Sequence, residues 1–171
     1  RIKEYASLGA KFAKWRAVID IGRAGNRAIP SYACINANAH ALARYAAICV
    51  EGGIVPIVEP EVLMDGDHDI DTCAEITEWA LKEQFQELYY AGVKLEGIIL
   101  KPNMVISGKK CPTQASQEEV AEKTLIVLKR CVPAAVPGIA FLSGGQSSED
   151  ATAHLHYMNA SGPLPWKLTY S

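Results

Sequence analysis

Short β-branched runs alternate with longer stretches of helical periodicity along this chain, and that alternation restricts the possible folds more than any other feature of the sequence. The strand-like runs are residues 12–21, 54–61, 97–105, 138–142 and 166–170; helical patterns lie near 36–51, 71–91, 117–131 and 148–159. Gly52-Gly53 closes the first helical pattern and Gly92 the second, while Ser116-x-x-Glu119 has the form of a capping box that opens the third. Strand alternating with helix implies a parallel sheet with right-handed crossovers, hence a doubly wound open sheet or a (β/α)8 barrel. The first four strands begin about 42 residues apart, as repeated βα units with moderate loops would, and the last interval is about 28. No Gly-x-Gly-x-x-Gly follows the first strand, so a dinucleotide-binding open sheet has little support.

A length of 171 residues with 49% hydrophobic content suits one domain, read here as 1–171. The formal net charge of −2 carries no bias toward nucleic acid or an anionic membrane, and no apolar run approaches the roughly 20 residues that span a bilayer. Cys34, Cys49, Cys73, Cys111 and Cys131 are scattered, odd in number and without a Cys-x-x-Cys pair. Reduced thiols are therefore expected, and with an opening Arg1-Ile2-Lys3-Glu4 unlike a signal peptide, so is a cytoplasmic location.

Parallel strands covered on both faces normally read as unbroken Val/Ile/Leu runs. Three of these do not: the first carries Lys14 and Arg16, the second Glu59 and Glu61, the third Lys101. Alternation along a strand puts Lys14 with Arg16, and Glu59 with Glu61, on common faces. One reading is ion pairs at strand ends. The other is chemistry: a buried lysine is driven toward its neutral form, only the neutral amine attacks a ketone, and a carboxylate beside it can move protons.

Leu100-Lys101-Pro102-Asn103-Met104-Val105, preceded by Leu95-Glu96-Gly97, resembles the Schiff-base strand of the class I fructose-1,6-bisphosphate aldolases. Further segments match that family in order: Phe12-Ala13-Lys14-Trp15-Arg16, the run from Ile54 to Glu61, Asp65-Gly66-Asp67-His68-Asp69, and Phe141-Leu142-Ser143-Gly144-Gly145-Gln146-Ser147. The resemblance covers nearly the whole chain. It implies the last five βα units of a (β/α)8 TIM barrel, with three strands upstream and a C-terminal tail lying outside this sequence, and a stretch that short of the full barrel is expected to be inactive alone. Position by position, it implies that Lys101 is the imine lysine, Glu59 the acid/base carboxylate, Lys14 an assisting cation and Glu61 a carboxylate that orients the group. Arg16 matches a residue at the distal phosphate; Ser143, Gly144 and Ser171 match the proximal phosphate site. A glycine-rich turn before a helix suits that role, since backbone N–H groups can approach an anion there.

The implied activity is reversible cleavage of fructose 1,6-bisphosphate to dihydroxyacetone phosphate and glyceraldehyde 3-phosphate, in a homotetramer, with a sugar phosphate as partner and no cofactor. Another imine-forming barrel enzyme, such as a transaldolase or a dehydroquinase, would not need both matched phosphate positions. A catalytically silent scaffold would be expected to have lost the lysine or the acid.

Other features read as structural. Asp65-Gly66-Asp67-His68-Asp69 lacks the spacing of a calcium loop and suits a solvated turn entering a helix. His154 and His156, two apart on a helix, point to different sides and read as surface residues, and no converging histidine set supports a metal. Trp79, Phe85 and Tyr89-Tyr90 are expected in core packing, and Trp15 and Trp166 in filling the barrel.

Overall fold

A computed structural model describes residues 1–171. A short helix α1 (Ile2–Ser7) precedes strand β1 (Phe12–Ile19) and a hairpin of β2 (Gly22–Ala24) with β3 (Arg27–Ile29). Four helix-linked units follow: α2 (Tyr32–Glu51) to β4 (Val55–Val62), α3 (Ile70–Tyr90) to β5 (Ile99–Leu100), α4 (Gln117–Cys131) to β6 (Gly138–Phe141), and α5 (Ser148–Ala160) to β7 (Lys167–Tyr170).

The main sheet is parallel, in the order β1-β4-β5-β6-β7, so each βα unit lies beside the next with no reversal. Helices α2 to α5 pack in the same succession, each against its neighbour. A doubly wound sheet reverses its strand order and puts helices on both faces. Unreversed order with one connected helix layer is the wall of a (β/α)8 barrel.

Local chemistry explains the boundaries. Ser31, Asp69, Ser116 and Ser147 cap α2, α3, α4 and α5, each accepting a hydrogen bond from the backbone N–H three residues on. Helix α2 therefore begins four residues before the apolar periodicity at 36 suggests. The β2–β3 hairpin lies inside what reads as loop; Gly25, with φ +64, and Asn26 make its two-residue turn. Helix α1 likewise has no counterpart in the sequence reading, being too short and too exposed to show a periodic face.

A cluster of 31 buried apolar residues lies between sheet and helices. Phe141, Ile98, Leu100, Leu81, Leu88, Leu128, Ile139 and Met158 are fully enclosed in it. Truncating such a side chain, for instance Phe141→Ala, costs about 3–5 kcal/mol through lost burial and the cavity left behind.

Three packing expectations are corrected. The buried stripe of α3 runs through Cys73, Thr77, Leu81, Gln84 and Leu88, which leaves Tyr89 and Tyr90 beyond its edge and exposed to solvent. Trp15 faces the helix layer, with its ring edge-on to Tyr45 of α2 at 5.5 Å, and remains half exposed. His154 is buried: it shares the inner face of α5 with Ala151 and Met158, while His156 is exposed. Trp166 is buried in the apolar cluster between sheet and helices and donates from Nε1 to the Pro133 carbonyl at 3.0 Å.

Candidate active site

Register brings the strand-borne charges together. Arg16 lies opposite Glu59 in the β1–β4 pairing, and Glu59 comes opposite Lys101 when the pairing of Ile57 with Ile99 and Val58 with Leu100 is continued by one residue. Because side chains alternate, Lys14, Arg16, Glu59, Glu61 and Lys101 all project from the face away from the helices. The cations of β1 reach diagonally to the carboxylates of β4: Lys14 Nζ is 3.0 Å from Glu59 Oε2, and Arg16 Nη1 donates to Glu61 Oε2 at 3.0 Å.

Glu59 is the centre of this group. Its other oxygen, Oε1, is 3.3 Å from Lys101 Nζ, so one carboxylate bridges two lysines. The Glu59 side chain is 4% exposed and that of Lys101 13%, against 43% for Lys14. A buried carboxylate is tolerated only when paired, and removing one partner of a buried pair typically costs about 3–5 kcal/mol. Both Lys–Glu contacts are at ion-pair distance without hydrogen-bond alignment, and Glu59 Oε2 has no hydrogen-bond donor aimed at it.

The Lys101 segment departs from its expected form. Regular pairing covers Ile99–Leu100 only, although the sequence reads as strand over 97–105. Lys101 N–H still donates to the Val58 carbonyl at 2.8 Å, and Leu142 N–H to the Pro102 carbonyl at 3.2 Å. The residue on β4 that would next donate toward this segment is Pro60, which has no N–H, and Pro102 has none either. Side chains replace the ladder: Asn103 Oδ1 accepts from Val62 N–H at 3.0 Å, and Thr124 Oγ1 accepts from Val105 N–H at 2.9 Å. Neither Asn103 nor Thr124 stands out by residue type; the prolines at 60 and 102 are the sequence signal that pairing must fail here.

Ser143, Gly144 and Ser171 lie at the same rim, past the C-terminal ends of β6 and β7. Ser171 N–H donates to the Phe141 carbonyl at 3.1 Å, which ties the end of β7 to the strand before Ser143. Gly144 and Gly145 have φ of +62° and +88°, conformations that side-chain-bearing residues rarely adopt. Gln146 N–H and Nε2 both donate to the Ser143 carbonyl, turning the chain into α5.

Two loops above the sheet are laced together. Gly108, Lys109 and Lys110 donate backbone N–H groups to His68, Met64 and Gly66 at 2.8, 2.7 and 2.9 Å, and Lys109 Nζ lies 3.2 Å from Asp65 Oδ1. Asp69 caps α3 by accepting from Thr72 N–H at 2.8 Å, the turn-to-helix role read from the sequence. His68 is enclosed there with neither ring nitrogen hydrogen-bonded; burial holds it below the usual histidine range, against the opposing pull of Asp67, Asp69 and Asp20. Burial likewise lowers His154, whose Nδ1 is 2.6 Å from Gln146 Oε1, with Asp150 opposing. A cavity of about 420 Å³ opens between these loops and α5, lined in part by Met64, Lys109, Gln146 and His154; none of Lys14, Glu59 or Lys101 reaches it. No helix is long and apolar enough to cross a membrane.

Residues 1–171 match the family model described as "Fructose-bisphosphate aldolase class-I". A probable fructose-bisphosphate aldolase class 1 of Xanthomonas campestris is 63% identical over the full chain, which covers 50% of that relative. Fructose-bisphosphate aldolase 4, cytosolic, of Arabidopsis thaliana is 51% identical over 172 aligned positions, with all of this chain and 43% of the relative covered. A solved structure of fructose-bisphosphate aldolase from Plasmodium falciparum, in complex with TRAP and a small-molecule inhibitor, superposes with a TM-score of 0.95 at 48% identity, over 100% of this chain and 49% of that one. The chain thus spans about half the length of the curated relatives it matches.

Proposed function

The chain belongs to the class-I fructose-bisphosphate aldolase family, and from that premise we propose that it serves the reversible cleavage of fructose 1,6-bisphosphate to dihydroxyacetone phosphate and glyceraldehyde 3-phosphate through an imine on Lys101. The observation that carries this reading is the bridging of Lys14 and Lys101 by the one buried carboxylate, Glu59.

The roles follow from placement. The neutral Lys101 amine adds to the substrate ketone to give a carbinolamine, and Glu59, 3.3 Å from that nitrogen, transfers the protons by which water leaves and the iminium forms. Cleavage passes the C4 hydroxyl proton to the Glu59 carboxylate as C3–C4 breaks; the electron pair flows into the iminium, giving an enamine and the free aldehyde. Protonation of the enamine carbon and hydrolysis of the imine then release dihydroxyacetone phosphate. The iminium is the electron sink, so the scheme calls for neither metal nor organic cofactor.

Lys14, 3.0 Å from the far oxygen of Glu59, holds the carboxylate toward Lys101 and supplies positive charge at the reacting centre. Glu61 anchors Arg16, which faces one phosphate of the substrate. Ser143, Gly144 and Ser171 hold the other phosphate through hydroxyl and backbone N–H groups at the opposite end of the row of strands. The functional form is a cytoplasmic homotetramer. A coupled assay of triose phosphate release by the full-length protein tests the activity: turnover of fructose 1,6-bisphosphate that survives chelation is expected, and either absence of cleavage or loss of it on chelation contradicts the reading.

A further inference from the structure

The backbone ladder between β4 and β5 stops where Glu59 and Lys101 meet. In a parallel pair, a residue that donates to one strand neighbour accepts from the residue two further along that neighbour. Lys101 donates to Val58, so its carbonyl would accept from residue 60. That residue is Pro60, and the rung is missing.

One rung further on, contact between the two segments resumes through a side chain. Asn103 Oδ1 accepts from Val62 N–H at 3.0 Å, in the place a backbone carbonyl would take in a continuous ladder. The amide nitrogen braces the same side chain twice, donating to Thr77 Oγ1 on α3 at 3.1 Å and to the Met104 carbonyl at 3.1 Å. Asn103 and Thr77 are 6% and 2% exposed, so neither group has water as an easy substitute partner. The bridge sits two residues beyond Lys101 and three beyond Glu59, and it joins their two strands to the helix behind them.

We propose that Asn103 is a positioning residue: its bridge from Val62 to Thr77 sets the separation of Lys101 Nζ and Glu59 Oε1 across a ladder that Pro60 interrupts. The inference rests on the imine reading of Lys101. It concerns the distance over which a proton must pass between two groups, and misplacement on the ångström scale costs about 100-fold in rate at such sites.

The test uses the full-length protein, with borohydride trapping of the dihydroxyacetone phosphate imine and steady-state kinetics across pH for Asn103→Ala, Thr77→Val, Thr77→Ser and the Asn103→Ala/Thr77→Val pair. Both trapping rate and kcat are expected to fall about 10- to 100-fold in Asn103→Ala and by less in Thr77→Val, at nearly constant KM and with a displaced pH optimum. Thr77→Ser, which keeps the hydroxyl, restores the wild-type profile, and the double variant is no worse than Asn103→Ala alone. Variants that melt earlier yet keep the wild-type trapping rate and pH profile overturn the proposal, since support of the fold alone would then be their role. If Asn103→Ala does not fold, the comparison of Thr77→Val with Thr77→Ser decides. Failure of the wild-type protein to trap on Lys101 would strike the imine reading instead.

Discussion

On β1, on β4 and just past β5 the groups proposed to carry the chemistry are long charged side chains on or directly continuing the strands, whereas after β6 and β7 they are short hydroxyls and glycine N–H groups in the turns beyond the sheet. The first region is fixed by strand register: Lys14 and Arg16 meet Glu59 and Glu61 because each lies diagonally across one ladder. The second is fixed by backbone conformation, with Gly144 and Gly145 at positive φ and Ser171 tied to Phe141. A register-held group works through its own functional atoms and is lost when the side chain changes. A conformation-held site works through the shape of the turn and is sensitive to any Cβ placed there. Substitutions in the first region should therefore strike kcat, and those in the second should strike substrate binding.

Lys101→Met gives the largest separation. It removes the nitrogen proposed to form the imine, and kcat is expected to fall about 10⁴-fold or more, measured as triose phosphate release. Glu59→Gln keeps the shape but cannot shuttle protons, and a fall in kcat of about 10²- to 10⁴-fold with a modest change in KM is expected from pH-resolved kinetics. Gly144→Ala acts in the other region. Its φ of +62° puts about 1–2 kcal/mol of strain on any Cβ, which would also lie 3.2 Å from Met64 Sδ. That strain corresponds to roughly a tenfold rise in KM for the bisphosphate, with kcat much less affected. Equal losses of kcat from Gly144→Ala and Glu59→Gln would erase the distinction between the regions.

The smallest expected effect lies outside both regions. His68 and His154 are held below the ordinary histidine value of 6.5 by burial. As pH falls below that value the unfolded chain takes up protons that the folded chain does not, so stability present at pH 7 is lost toward pH 5. Thermal melts should show a lower Tm at pH 5 than at pH 7, and the slope should flatten in His68→Gln/His154→Gln. An unchanged slope in that variant would assign the pH dependence to other groups.

Much of this was legible in residue order alone. Strand–helix alternation locates four of the helices and the five strands of the parallel sheet, Ser116-x-x-Glu119 marks the opening of α4, and charges interrupting apolar strands mark the candidate site before any geometry is known. What escaped has physical causes. The β2–β3 hairpin is carried by three-residue strands with no apolar alternation, and only Gly25-Asn26 betrays it. Helix α3 buries a narrow stripe, so aromatic content at Tyr89 and Tyr90 misleads where angular position decides. His154 depends on which face of α5 meets the loop before it. Asn103 is one residue within a strand-like motif, and its role follows from what Pro60 and Pro102 cannot donate, a relation between two segments 42 positions apart.

The most direct test of the central claim is to reduce the full-length protein with borohydride in the presence of dihydroxyacetone phosphate and to map the adduct by peptide mass spectrometry. A stable adduct on the peptide containing Lys101, absent in Lys101→Met, is the predicted result. An adduct on a different lysine, or none under conditions in which the protein is folded, would contradict the assignment of imine chemistry to the residue that Glu59 faces.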